Sequence, residues 1–198
     1  MHAMNTPRTD VRQHILDTAK PIILGKGFSV VGLNEVLKAA AVPKGSFYHY
    51  FKSKELFGEA LLDDYFAGYL AAVDVVLKNA DIPAAKRLMR YWQGWLPERP
   101  GESVQCQCLA AKLGGEVSDL SEAMRLALQH GTDSIIARLA DCMREGITDG
   151  SLPADLDADH CALTLYQMWL GATLLTKMRR DMSALESAML ATRKMLRL

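Results

Sequence analysis

Leu33-Asn34-Glu35-Val36-Leu37-Lys38-Ala39-Ala40-Ala41-Val42-Pro43-Lys44-Gly45-Ser46-Phe47-Tyr48-His49-Tyr50 is the stretch on which the fold turns. Its first eight residues predict a short helix, with Gly32 acceptable as N-cap and Glu35 at the third helical position. Ala41-Val42-Pro43 ends that helix. A second short helix is predicted over 44–50. Two short helices around a tight turn, after a supporting helix, form a helix-turn-helix arrangement. The second helix is unusual in content. A core helix is rich in Leu, Val or Ala, whereas this one carries Lys44, Ser46, Tyr48, His49 and Tyr50. Lysine brings a charge to phosphates or guanine acceptors, and Ser and Tyr hydroxyls bond phosphates and base edges. Gly45 allows close approach of the backbone, with the first amides of the helix aimed at phosphate. Phe47 is the one clearly apolar residue and is expected to anchor the helix inward.

Upstream, Val11, Ile15, Ala19, Ile22 and Ile23 form an apolar stripe, predicting a helix over 9–24 that Gly25 and Gly27 terminate. Pro21 inside it is expected to kink it. Downstream, Ser53 caps a long helix that begins at Lys54 and reaches about Lys78. The breaks at 81–83, 97–102 and 149–153 then separate helices predicted over 84–95, 103–115, 121–146, 157–179 and 183–196. No strand pattern and no internal repeat is seen. The expectation is an all-α chain of about nine helices. A three-helix helix-turn-helix DNA-binding domain is expected over 1–53, and a second helical domain over 54–198.

Composition agrees. The 198 residues are 49% hydrophobic and only 7% aromatic, with ten Met, which favours helix over sheet and excludes bulk disorder. No uncharged apolar run is long enough for a membrane span, and no signal peptide is visible. Four cysteines without metal-ligand spacing point to a reducing compartment, so a cytoplasmic location is expected, with no cofactor and no metal. The formal charge is zero, but residues 1–54 hold eight Lys/Arg against three acids. The head is thus +5 and the remainder −5. That asymmetry suits a head that meets a polyanion, or a merely solvated basic surface.

The run from Gly27-Phe28 through Ala40, Val42 and Lys44-Gly45-Ser46-Phe47-Tyr48-His49-Tyr50-Phe51 to Ser53-Lys54-Glu55 resembles the TetR family of transcriptional repressors. Pro43 departs from it, standing where the family often has a capping Ser. The resemblance covers about a third of the chain. It implies a homodimer whose two recognition helices enter successive major grooves of a near-palindromic double-stranded DNA operator, released when a small effector acts on the C-terminal domain. Carried onto matching positions, it assigns DNA contacts to Lys44, Gly45, Ser46, Tyr48 and His49 and a backbone clamp to Lys54. No strand-rich thioredoxin-like half and no nucleophile–base pair is visible, so the chain is expected not to be an enzyme.

The segments 105–113, 116–121 and 166–172 resemble the branch of that family that responds to N-ethylmaleimide and related electrophiles. The cysteine matching the branch's sensor is Cys108; Cys106 is an addition, and a matching lysine falls at Lys177. The residues allow the same chemistry. A thiol near a helix N-terminus has a stabilised thiolate, and Lys112 lies one turn beyond Cys108. The plain alternative for Cys108 is a small buried hydrophobe, and that is the expectation for Cys142 and Cys161. Tyr91, Trp92, Trp95, Met168 and Trp169 are core or the lining of a ligand pocket. Leu163, Tyr166, Leu170 and Leu174, with Leu185 and Met189, are dimerisation candidates on the last two helices. The rival functional readings are release by reversible binding of an apolar ligand, a thiol enzyme, and a helical interaction module that does not touch DNA. The last would require the 44–50 helix to be buried.

Overall fold

The computed structural model describes residues 8–96 and 109–198, and all regular structure there is helical. The order is α1 Arg8–Lys26, α2 Leu33–Ala40, α3 Lys44–Tyr50, α4 Lys54–Leu77, α5 Ala84–Gln93, α6 Leu109–Val117, α7 Glu122–Thr148, α8 Ala158–Arg179 and α9 Ser183–Leu196. The described residues divide into two compact units. One comprises 8–66 with 109–129, and the other 67–96 with 130–198. The unit holding the helix-turn-helix therefore also takes in the start of α4, all of α6 and the first turns of α7.

In the first unit α1 continues through Pro21, which stands on the exposed side. There the missing N–H leaves only a water-accessible carbonyl unpaired. Ile15, Leu16, Ala19 and Ile23 are buried against Val36, Leu37 and Ala40 of α2 and Phe47 of α3. Gly32 caps α2 by its backbone alone. The helix stops in a left-handed turn at Ala41 (φ 53°), with the Val42 N–H donating to the Leu37 carbonyl and the Ala41 N–H to Lys38. This is a Schellman stop, in which glycine is normally preferred because a Cβ is strained there. Ala41→Gly is expected to raise the unfolding free energy by up to about 1 kcal/mol, read as an upward shift of the thermal midpoint.

Pro43 is the N-cap of α3, and its carbonyl accepts the Ser46 N–H at 3.0 Å. Its lack of a capping side chain does not prevent the helix. Ser53 caps α4 as its position suggests, its Oγ accepting the Leu56 N–H at 3.1 Å.

In the second unit the buried residues are mostly apolar, with one arginine among them. Arg87 of α5 is 4% exposed; it donates to the Leu77 carbonyl at the end of α4 and pairs with Glu145 of α7 at 2.7 Å. A guanidinium there satisfies carbonyls that the end of a helix leaves unpaired. α8 is capped by Asp157, whose Oδ1 accepts the His160 N–H at 3.1 Å. α8 and α9 lie side by side, tied where Trp169 Nε1 donates to Thr192 Oγ1 at 2.9 Å. α5 ends at Gln93, two residues before the expected Trp95, because Gly94 follows as its C-cap.

Candidate functional site

α3 is held by one side and free on the other. Phe47 is fully buried, its ring 5.3 Å from both Phe51 and Phe57, and those two lie 5.1 Å apart. This aromatic knot fastens α3 to the start of α4. Arg12 of α1 sits over Phe51 at 5.4 Å. With Phe47 pointing in, helical geometry sends the residues on either side out. Lys44, Gly45, Tyr48 and His49 are all exposed, and Ser46 is half-buried. Lys44 and Tyr48 are one turn apart, with the ammonium 5.9 Å from the centre of the phenol ring. Nothing lies within 4 Å of where a Cβ on Gly45 would stand. The protein's own packing thus makes no demand for glycine there. Lys54 is half-buried, its ammonium 4.9 Å above the Phe28 ring. An outward face of one lysine, one phenol, one imidazole and a bare backbone turn suits a polyanion. The module reading that needed α3 buried does not hold.

The chain matches the profile "Bacterial regulatory proteins, tetR family" over residues 15–61 and "Tetracyclin repressor-like, C-terminal domain" over 84–192. It is 39% identical over 180 residues to the HTH-type transcriptional repressor NemR of Escherichia coli (strain K12), covering 91% of this chain and 90% of that protein. The chain belongs to the TetR family. A second relative is the HTH-type transcriptional repressor DhaR of Mycobacterium sp. (strain GP1), 32% identical over 90% of this chain and 88% of that one. The crystal structure of E. coli NemR in its reduced form superposes with a TM-score of 0.87, at 39% identity over 93% of this chain and 96% of that one. This TetR-family chain is a DNA-binding transcriptional repressor, and its relatives are not enzymes.

The effector side of this TetR-family chain is described in part. Cys106 and Cys108 lie outside the described residues. Cys142 and Cys161 are buried, at 2% and 3% exposure. Burial pushes the Cys142 thiol up to about 11 and raises that of Cys161 as well. Neither is a thiolate at neutral pH, and thiolates are what react. Native protein treated briefly with a maleimide at pH 7 is expected to leave Cys142 and Cys161 unlabelled, and denatured protein to label both. Mass spectrometry of tryptic peptides reads the difference.

Lys112 of α6 donates to the Gly25 carbonyl at 3.5 Å, and Lys177 is exposed on α8. Of the five pocket candidates three are buried and two half-buried. Trp92 and Trp169 are fully buried and stacked, 5.2 Å apart and 15° from parallel. Trp95 closes on both at 5.9 Å and meets Tyr166 edge-on at 6.2 Å. Tyr91 is buried beside Trp92, its hydroxyl 3.2 Å from that of Tyr69. Met168 is half-buried. The indole N–H of Trp92 has no hydrogen-bond partner among the described residues.

The six dimerisation candidates lie on α8 and α9. Tyr166 and Leu185 are 2% and 0% exposed within the protomer, so they belong to its own core. Leu163 and Leu174 are exposed, and Leu170 and Met189 half-buried. Leu175, Met178 and Leu190 are exposed as well, at 41%, 68% and 67%. Leu163, Leu170, Leu174 and Met178 recur at intervals of seven, four and four, which puts them on one side of α8. Among the described residues no cluster of His, Cys, Asp or Glu could hold a metal ion, and no helix is long and apolar enough to cross a membrane.

Proposed function

We infer that this repressor is a cytoplasmic homodimer that leaves a near-palindromic operator when an electrophile or oxidant modifies a cysteine of its effector part. The observation that carries the reading is the burial of two thiols. Burial removes Cys142 and Cys161 from reaction, which leaves Cys108 and Cys106 as the remaining thiols. The likeness to NemR, a relative whose crystal structure is described as a reduced form, supports a redox or thiol role. In the reaction with a maleimide the thiolate sulfur adds across the carbon–carbon double bond. The neighbouring carbon takes up a proton, and nothing leaves. Lys177 and Lys112 are the cations that would favour the thiolate on approach.

On the DNA side Lys44, Gly45, Ser46, Tyr48 and His49 face the major groove and Lys54 the backbone. The two recognition helices of the dimer are spaced for half-sites about 34 Å apart. The apolar strip of Leu163, Leu170, Leu174 and Met178, with Leu190 and Met189 of α9, forms the contact between subunits. A coupling of ~1–3 kcal/mol between effector and DNA gives roughly 5–150-fold release.

A second reading keeps the repressor but replaces the covalent step with reversible binding of an apolar ligand. The aromatic cluster of Tyr91, Trp92, Trp95 and Trp169 favours it as a pocket wall, with Met168 beside it in sequence. Cys108→Ser separates the two. Under covalent sensing the serine variant stays on its operator when treated with N-ethylmaleimide, while untreated affinity is unchanged. If it is released as readily as the wild type, sensing at Cys108 is wrong.

A further inference from the structure

α6 opens one residue after Cys108 and ends at Val117. Its inner face is Leu109, Leu113 and Val117, all fully buried at one-turn intervals. On another face it carries Lys112 and Glu116, again one turn apart. Both reach the corner between α1 and α2. Glu116 accepts the backbone N–H of Ser29 at 2.5 Å and that of Phe28 at 3.2 Å. Lys112 donates to the Gly25 carbonyl at 3.5 Å, at the end of α1.

The charges are matched to what they meet. A cation faces the negative end of α1, and an anion faces two amides that no helix pairs. Gly27, between these anchors, has φ 95°, and a Cβ on it would come within 3.0 Å of Glu116 Oε2. The corner is thus shaped to admit a carboxylate. Burial opposes the charge on Glu116, but the donors at Ser29 and Phe28 and the nearby Lys112 outweigh it. Its pKa lies below the usual value.

We propose that Glu116 and Lys112 are positioning residues for operator binding: a two-point clasp by which α6 sets the placement of the α1–α2 corner, and with it the helix-turn-helix. The clasp is well placed to pass on a disturbance. α6 has nine residues with Gly114 and Gly115 in its interior, both facing open space. Such a helix is marginal by itself, and each interior glycine costs about 1 kcal/mol relative to alanine. Its order rests on its contacts, so a change in its first turn reaches Glu116. That second role, the transmission, rests on the thiol-sensing reading; the positioning role does not.

The test measures operator affinity of the full-length protein by fluorescence anisotropy, for wild type, Glu116→Ala and Glu116→Gln, before and after N-ethylmaleimide. Untreated Glu116→Ala is expected to bind its operator about tenfold more weakly, as befits a lost charge-assisted pair of hydrogen bonds. Its dependence on salt stays that of the wild type, because Glu116 touches no phosphate. Glu116→Gln, which keeps shape and one acceptor, falls between. Amide exchange rises at Phe28 and Ser29 in the alanine variant, while buried amides of α7 and α8 keep their protection. If both variants bind within twofold of wild type, the positioning role is overturned. On treatment, wild type is expected to release DNA and Glu116→Ala to show a treated-to-untreated ratio near one. If wild type and Glu116→Ala respond by the same factor, sensing stands and the transmission is overturned. If wild type does not respond, the sensing reading and the transmission fall together, and the untreated affinities still decide the clasp.

Discussion

Joint replacement of Lys44 and Tyr48 by alanine is expected to abolish the operator shift in a mobility assay while leaving the oligomeric state unchanged. Both side chains project from the free face of α3. A specific base contact is worth about 1–3 kcal/mol, and a dimer loses each contact twice. The summed loss, several kcal/mol, is of the order that separates specific from non-specific binding, roughly 10³-fold or more. Folding pays little for the change. Lys44 is exposed, its contact with Tyr48 is a surface cation–π pair, and Phe47 loses one edge-on ring contact at 5.5 Å while keeping Phe51 and Phe57. Residual binding should also lose less affinity per decade of salt, by about one unit of slope for each phosphate contact removed. A double variant that still shifts the operator at wild-type concentration would place recognition elsewhere.

Leu174→Glu is the substitution expected to do most damage to assembly. Leu174 is 47% exposed in the protomer and sits in the apolar strip of α8. In a two-fold dimer the same residue comes from both sides, so two carboxylates would be forced into an apolar contact. An unpaired buried charge costs several kcal/mol. Sedimentation should then find monomer at micromolar concentration. The subunit itself should melt near the wild-type temperature, since no core atom is removed. Operator affinity collapses with the dimer, because one recognition helix reads only one half-site. A dimer that survives this charge with unaltered dissociation would show that subunits meet on another face.

α2 and α3 fall on the residues expected, because their limits are set by local chemistry: Gly32 before, the Ala41-Val42-Pro43 stop between, and Phe47 as the single inward residue. The outward face of α3 follows from that one anchor. α8 was the opposite case. It is apolar around most of its circumference, so periodicity marks a helix but not which side meets its own subunit. That is why Tyr166 stands among the dimerisation candidates although it is buried in its own subunit, and why Met178 does not. Glu116 was invisible for another reason. Its partners are backbone amides 87 and 88 residues away, and main-chain donors leave no signature in side-chain sequence. Only Gly27 hinted at a special corner. Lys112 was read beside a thiol four positions earlier, yet its described partner is the last turn of α1.

All three tryptophans of the chain, at 92, 95 and 169, stand in one cluster of the second unit. Intrinsic emission is therefore a regional reporter. It is blind to the helix-turn-helix, which contains no indole, and it is dominated by two rings shut away from water. Their burial and stacking at 5.2 Å tie the emission to the packing of this cluster. An effector that disturbs this region would announce itself optically with no label and no DNA present.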